Sequence, residues 1–187
     1  MKDFITYINS IVDLDKQAVH DLQSILVERR LPKKALLISA GAVCTEFHFI
    51  IRGAARVFYY KDQKEATAWF GFERDIVSAI DSLFSGQPTI YNIELLEDSV
   101  LCSLQFHLIE PVFAAHPKIE RLGRLLITEN YLKLDERMRM IVFHDARERY
   151  QLLLQQFPNI LNRVPLKYIA SYLNITQEAL SRIRAEF

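Results

Sequence analysis

The sequence predicts an α+β protein in which helices flank an antiparallel β-roll of the jelly-roll kind. Apolar residues recur at helical spacing over residues 3–30 and again after His107. Between these regions, short runs rich in β-branched and aromatic residues fill residues 35–106. Many short strands at this spacing are typical of sandwiches, jelly rolls and barrels.

The N-terminal region is predicted to contain two helical segments. Its apolar residues lie three or four apart, and Asp13 is placed to cap the second segment. Pro32 ends this helical stretch, which we extend over residues 3–30. Turn residues then divide the strand region into short runs; they are Gly41, Gly53, Asp62-Gln63 and Ser85-Gly86.

A long helix is predicted at about residues 118–144. A helix of about 27 residues is a rod of about 40 Å, which is longer than a domain of this size needs to cover its core. Leu125 and Leu132 lie seven residues apart, which favours a coiled-coil-like dimer seam, although polar residues interrupt the repeat. The alternative is a helix that packs wholly against the β-roll.

These changes of pattern divide the chain into three parts. Residues 1–116 form a β-roll domain with its helices, residues 117–144 form a connecting and dimerisation helix, and residues 145–187 form a small C-terminal domain. Half of the residues are hydrophobic, which is enough for real cores, and the formal net charge is zero. Residues 161–187 carry four Lys or Arg and two Glu, a local excess of +2 that dimerisation would double.

The last 22 residues, 166–187, have the pattern of two short helices joined by a tight turn. Ala170 in the first helix is small enough to let the second helix approach closely. Asn174 falls where the first helix ends, and Asn tolerates the left-handed conformation found there. Thr176 is a good N-cap for the second helix. This spacing is typical of the DNA-binding helix-turn-helix.

The second of these helices is predicted to read double-stranded DNA with its polar face. Gln177, Glu178, Ser181 and Arg182 avoid its apolar stripe. Gln pairs with adenine, Glu accepts from cytosine, and Arg reads guanine or contacts phosphate. Together with Thr176, these residues make up the predicted DNA-binding site. The alternative for this segment alone is an ordinary helical hairpin with a solvated polar face.

The sequence lacks the residues that other classes of protein require for their function. The absence of a signal peptide and of a long apolar run predicts a cytoplasmic protein that does not enter a membrane. Cys44 and Cys102 lack the spacing of a disulfide framework or metal site and are interpreted as small core residues. Only His48 of the five histidines lies in a predicted strand, and no nucleotide-binding glycine loop or nucleophile elbow is present. We therefore expect no enzyme activity, no cofactor and no metal.

The order of these elements resembles the Crp/Fnr family of transcription regulators, and the resemblance covers nearly the whole chain. Residues 41–53, an aliphatic and aromatic segment with Gly at each end, look like the first hairpin of the family. Residues 56–70 look like the next hairpin, and residues 169–183 are similar to the DNA-reading signature. The resemblance implies a dimer that binds DNA under the control of a β-roll effector domain.

The resemblance also implies roles for the predicted DNA-binding residues. Gln177, Glu178 and Arg182 occupy base-reading positions, and Thr176 and Ser181 lie where phosphate contacts occur. Most members of the family follow the reading helix with a β-hairpin wing. This chain stops at residue 187, at the end of the helix, which predicts a smaller footprint on DNA.

The sequence departs from the family where cyclic nucleotides bind. Members that bind them carry a Gly-Glu pair, with the Glu on the ribose, and an Arg on the cyclic phosphate. Ser78-Ala79 and Thr89 occupy the corresponding positions, and residues 75–117 contain no Lys or Arg. A phosphate would therefore lack the Arg fork that binds it strongly. We expect that cyclic AMP does not bind in the usual manner.

Two functions are consistent with these features. The first is a dimeric DNA-binding transcription regulator whose β-roll senses an unidentified small molecule or serves only as a scaffold. The second is a ligand-binding or protein-interaction module whose truncated C-terminal domain does not read DNA. The first function requires that Gln177, Glu178 and Arg182 be exposed, with two copies about 34 Å apart on one face of a dimer.

Overall fold

The chain folds into helices at both ends with strands between them, in a computed structural model that describes residues 1–186. The strands are β1 (Leu26–Leu31), β2 (Leu36–Ile38), β3 (Glu46–Arg52), β4 (Ala55–Lys61), β5 (Lys64–Gly71), β6 (Ile76–Val77), β7 (Asn92–Leu95) and β8 (Ser99–Gln105). The helices are α1 (Lys2–Ile11), α2 (Lys16–Ser24), α3 (Ile80–Ser85), α4 (Ile109–Ala115), α5 (Pro117–Phe143), α6 (Ala146–Gln156), α7 (Ile160–Arg163), α8 (Leu166–Tyr172) and α9 (Gln177–Ala185). The predicted α+β class is confirmed. Phe187, the last residue of the predicted C-terminal domain, lies outside the described residues.

The β-roll consists of two antiparallel four-stranded sheets, in the orders β1-β8-β3-β6 and β2-β7-β4-β5. Their inner faces enclose an apolar core that includes Ile50, Ile93 and Leu101. The predicted hairpin at residues 56–70 is present as β4 and β5, joined by the two-residue turn Asp62-Gln63. Both turn residues have positive φ, as a type I′ turn requires.

Two expectations about the first half of the chain are wrong. Residues 26–31 form β1 rather than the end of a helix, because every one of them pairs with a residue of β8, more than sixty positions away. Residues 41–53 do not form a hairpin, because β3 pairs with β8 and β6 while β4 lies in the other sheet. Gly53 makes the turn between the sheets at φ +124°, where a Cβ would overlap the Ser99 side chain.

The outer face of the β1-β8-β3-β6 sheet is covered by α1, α2, α4 and the first half of α5. The N-cap of α2 is Asp15 rather than Asp13, and its carboxylate accepts a hydrogen bond from the Ala18 backbone N–H at 2.9 Å. Cys102 is buried in this layer and Cys44 beside α3, and both are free thiols, as predicted. Within residues 1–186, no helix combines the length and apolar composition that crossing a membrane requires.

Candidate nucleic-acid interface

The turn between α8 and α9 has the local geometry that the sequence predicted. Asn174 adopts the left-handed conformation at φ +56°. Its N–H donates to the Ser171 carbonyl at 3.1 Å, and the Ile175 N–H donates to the Ala170 carbonyl at 3.0 Å. This pair of bonds is the Schellman motif, which satisfies carbonyl groups left free at a helix C-terminus. The turn therefore ends α8 sharply and fixes the direction in which α9 leaves.

Helix α9 begins at a capped N-terminus and presents a polar face to solvent. The Thr176 hydroxyl accepts a hydrogen bond from the Ala179 N–H at 3.2 Å, which confirms the predicted N-cap. Leu180 is fully buried and anchors the opposite face. The predicted site residues are all exposed; they are Thr176, Gln177, Glu178, Ser181 and Arg182. Their side chains are thus accessible from the same end of the molecule.

Two arginines outside the predicted site hold the C-terminus of α8. Arg137 of α5 donates to the Tyr172 carbonyl, and its guanidinium lies 3.6 Å from the centroid of the Tyr172 ring. Arg149 of α6 donates to the Leu173 carbonyl at 2.8 Å. Cations at this end interact favourably with the helix dipole and with its free carbonyls. The long helix is therefore bonded directly to the turn that orients α9.

Helix α8 also packs on β5 of the β-roll. The Ser171 hydroxyl accepts a hydrogen bond from the Thr67 N–H at 2.9 Å. Beneath α8, the fully buried Arg56 lies with its guanidinium 4.0 Å from the Phe58 ring and 3.6 Å from the Tyr168 ring. It also pairs with Glu65. These contacts join the C-terminal helices to the β-roll, and nothing in their sequence spacing indicated them.

Helix α5 exposes an apolar stripe on a different face from the predicted Leu125–Leu132 seam. Ile127, Tyr131, Leu134 and Met138, the α5 stripe, lie four, three and four residues apart, and each is more than half exposed. This alternation is the spacing of a coiled-coil seam. Leu125 instead packs partly against the N-terminal core, so the Leu125–Leu132 spacing does not mark the stripe.

The residues that replace the expected nucleotide-binding groups flank α3: Ser78-Ala79 lie just before this helix and Thr89 lies in the loop after it. The Thr89 hydroxyl donates to the Asp81 carboxylate, with distances of 2.9 and 3.0 Å to its two oxygens, and accepts from the Tyr91 N–H at 3.0 Å. The Ser78 hydroxyl donates to the Glu46 carbonyl at 2.9 Å. A phosphate at Thr89 would thus meet a carboxylate and a hydroxyl that is already bonded.

The β-roll is similar to a known family of domains. Residues 28–116 match the family model of the cyclic nucleotide-binding domain. No curated protein matches the sequence.

Solved structures similar to this chain extend the likeness beyond the cyclic nucleotide-binding domain. FixK2 from Bradyrhizobium japonicum has a TM-score of 0.73 and 16% identity over 87% of this chain and 84% of its own. CLP from Xanthomonas campestris, a c-di-GMP-responsive global regulator, has a TM-score of 0.73 and 13% identity over 92% and 91%. The catabolite activator protein of Thermus thermophilus has a TM-score of 0.56 and 16% identity over 93% and 84%. The chain therefore has the architecture of the Crp/Fnr regulators.

Within the β-roll, His48 is a buried titratable group. Its Nδ1 lies 2.9 Å from the Ser103 hydroxyl, and its Nε2 lies 3.7 Å from the Glu46 carboxylate. Burial lowers the pKa of His48 to about 4, against the opposing effect of Glu46. The imidazole is therefore neutral at physiological pH. In residues 1–186, no three His, Cys, Asp or Glu side chains are grouped so that they could hold a metal ion.

Acidification is expected to destabilise the protein through His48. Because the pKa is about 4 in the folded state and 6.5 when unperturbed, the unfolded state binds more protons between these values, and stability falls as pH falls. At about 1.4 kcal/mol per unit, the loss by pH 4 is about 3 kcal/mol. Denaturant unfolding measures the unfolding free energies of the wild type and of His48→Asn. Between about pH 7 and pH 4, the wild type should lose about 3 kcal/mol more than His48→Asn. Parallel pH dependences would contradict the assignment.

Proposed function

We propose that the protein is a dimeric DNA-binding transcription regulator of the Crp/Fnr type. The observation that carries the proposal is the exposed polar face of α9, which follows a capped Schellman turn at the end of a fold shared with regulators. Gln177, Glu178 and Arg182 are assigned to base edges, and Thr176 and Ser181 to phosphates. The protein is assigned to the cytoplasm, and no catalytic role is proposed for it.

The proposed dimer forms through α5. The α5 stripe is an unpartnered apolar face on a helix of 27 residues, which is long enough for two copies to pack along a shared seam. Because Arg137 bonds α5 to the turn before α9, the crossing of the two α5 helices would set the separation of the two reading helices. A separation of about 34 Å matches two half-sites one turn of DNA apart.

The proposed regulator does not bind cyclic AMP in the usual manner. The pair Ser78-Ala79 offers no carboxylate for a ribose, and Thr89 offers no cation for a cyclic phosphate. The Thr89 hydroxyl already donates to the Asp81 carboxylate, which would repel an anion. The β-roll either takes an effector of different chemistry or holds α5 without one.

Arg182→Ala is expected to weaken binding to a preferred DNA site by about 5- to 150-fold, equivalent to roughly 1–3 kcal/mol, because it removes a base or phosphate contact. Duplexes are first selected from a random pool by the wild type and then titrated at several salt concentrations. Arg30→Ala is the matched control, since Arg30 is an exposed arginine on β1 at a distance along the chain from α9. Equal losses in both variants, or none in Arg182→Ala, would contradict the assignment.

The same titration includes cyclic AMP. Binding that is saturable, sequence-dependent and unchanged by cyclic AMP is the expected result. Strong enhancement by cyclic AMP would overturn the interpretation of Thr89. Weak, sequence-independent binding that is lost as salt increases would favour an interaction module that does not read DNA.

A further inference from the structure

A cavity of about 260 Å³ lies on the outer face of the β1-β8-β3-β6 sheet, beneath α1, α2, α4 and the first half of α5. Its walls include Phe49, Cys102 and Leu104 from the sheet and Phe113 and Leu122 from the helices. The neighbouring strand residues Ile50 and Leu101 point to the other side, into the core between the sheets. The cavity is therefore separated by one sheet from the core between the two sheets of the β-roll.

The walls of the cavity are aliphatic and aromatic. Phe4 and Phe49 meet edge to face with centroids 4.7 Å apart, and Phe47 and Phe84 each pack against Phe106. Among residues 1–186, the only ionisable groups that line the cavity are Glu110, which is exposed, and the Cys102 thiol. Burial raises the pKa of Cys102 to about 11, so the thiol stays neutral.

The apolar lining determines which class of ligand the cavity can bind. A cavity of about 150 Å³ lined by Leu, Ile and Phe excludes water and binds benzene. A larger cavity of the same lining accommodates a larger apolar molecule, and phenylalanine rings pack favourably against the faces and edges of another aromatic ring. A nucleotide or other anion is disfavoured, since no described Lys or Arg lines the cavity and the Glu110 carboxylate does.

We propose that this cavity binds an uncharged aromatic molecule with the size of about two fused rings. Helix α5 forms one wall, and α4 packs tightly against it: a Cβ at Gly123 would lie 2.7 Å from the Phe113 ring. An occupant therefore contacts the same helix that carries the α5 stripe. Any effect of the occupant on DNA binding rests on the proposed function, whereas the binding itself does not.

The test uses the neutral fluorescent probe Prodan, whose aromatic core is a two-ring naphthalene, with the 187-residue chain. Leu104→Trp adds bulk on the cavity side of β8, and Ile76→Trp adds it from β6. Val27→Trp is the matched control, because Val27 is exposed on β1 and does not line the cavity. Circular dichroism and thermal melting establish that each variant is folded, and the probe is excited where Trp does not absorb.

The wild type and Val27→Trp are expected to give saturable, blue-shifted fluorescence of the probe. The two variants that fill the cavity, Leu104→Trp and Ile76→Trp, should bind the probe with a Kd at least tenfold higher when they are folded. Two results would overturn the inference: fluorescence that does not saturate with the wild type, or equal Kd values for wild type and filled variants. Because no DNA is present, sequence-specific DNA binding by a protein that fails this test would leave the proposed function standing.

Discussion

Replacing Leu134 with Glu is expected to convert the proposed dimer into a monomer at micromolar concentrations. Leu134 lies in the middle of the α5 stripe and is 58% exposed in the single chain. Burying one such side chain contributes about 1.5–3 kcal/mol, and a symmetric dimer loses this contribution twice. The dimer should therefore weaken by about 10²- to 10⁴-fold, before the repulsion between two facing carboxylates is added.

Leu132→Glu is the matched control for this prediction. Leu132 lies on the same helix and is 55% exposed. At 3.6 residues per turn, side chains two residues apart point about 160° apart, so Leu132 lies off the stripe. Sedimentation velocity over a range of concentrations compares the two variants with the wild type. Dissociation by Leu132→Glu but not by Leu134→Glu would place the seam on the face first expected from the Leu125–Leu132 spacing.

The features that could be predicted from the sequence are those determined by neighbouring residues. Asn174 ends α8 in the left-handed conformation and Thr176 caps α9, because both effects act within one turn of the chain. The paired turn residues Asp62-Gln63 fixed the β4–β5 hairpin for the same reason. The exposure of the residues predicted to read DNA follows in the same way from the register of a capped helix.

The features that could not be predicted depend on distant partners. The segment 26–31 has apolar residues at spacings compatible with a helix, but pairing with β8 makes it a strand. Helix α5 carries apolar residues on more than one face, and only the packing of Leu122 and Leu126 against the β-roll shows which face stays exposed. The arginines that hold the C-terminal helices reach carbonyl and carboxylate groups far along the chain, which no local spacing records.

Among these arginines, Arg163 bonds to the largest number of separate β-roll segments. Arg163→Ala is expected to weaken the attachment of the C-terminal helices to the β-roll. Its guanidinium binds both oxygens of Glu73 at 2.8 Å, donates to the Gly53 carbonyl at 3.0 Å and pairs with Glu97. The three partners lie on three different loops of the β-roll, whereas Arg163 ends α7, just before α8. We call this group the Arg163 cluster.

The loss is expected to be about 1–2 kcal/mol, because charged bidentate hydrogen bonds are strong but those of the Arg163 cluster are partly exposed to solvent. For a chain of this length, Tm should fall by about 2–8 °C. Hydrogen exchange in α7 and α8 should accelerate, since their attachment to the β-roll weakens. Arg163→Lys should be intermediate, because Lys keeps the charge but cannot form the fork. Arg30→Ala, which removes only an exposed contact at 3.6 Å, should change neither quantity.

The pH dependence distinguishes this ionic contribution from a simple loss of packing. Burial raises the pKa of Glu73, but hydrogen bonds from Arg163 and from the backbone N–H groups of Gly53 and Glu73, with the charge of Arg163, together hold it below its ordinary value of 4.5. A carboxyl group with a lowered folded pKa contributes stability above its unfolded pKa and loses that contribution as pH falls through the folded value. The difference in unfolding free energy between the wild type and Arg163→Ala should therefore be full at pH 7 and shrink as pH falls below about 4.5. A difference that persists unchanged in acid would mean that Arg163 acts through its contact with the Phe72 ring rather than through Glu73.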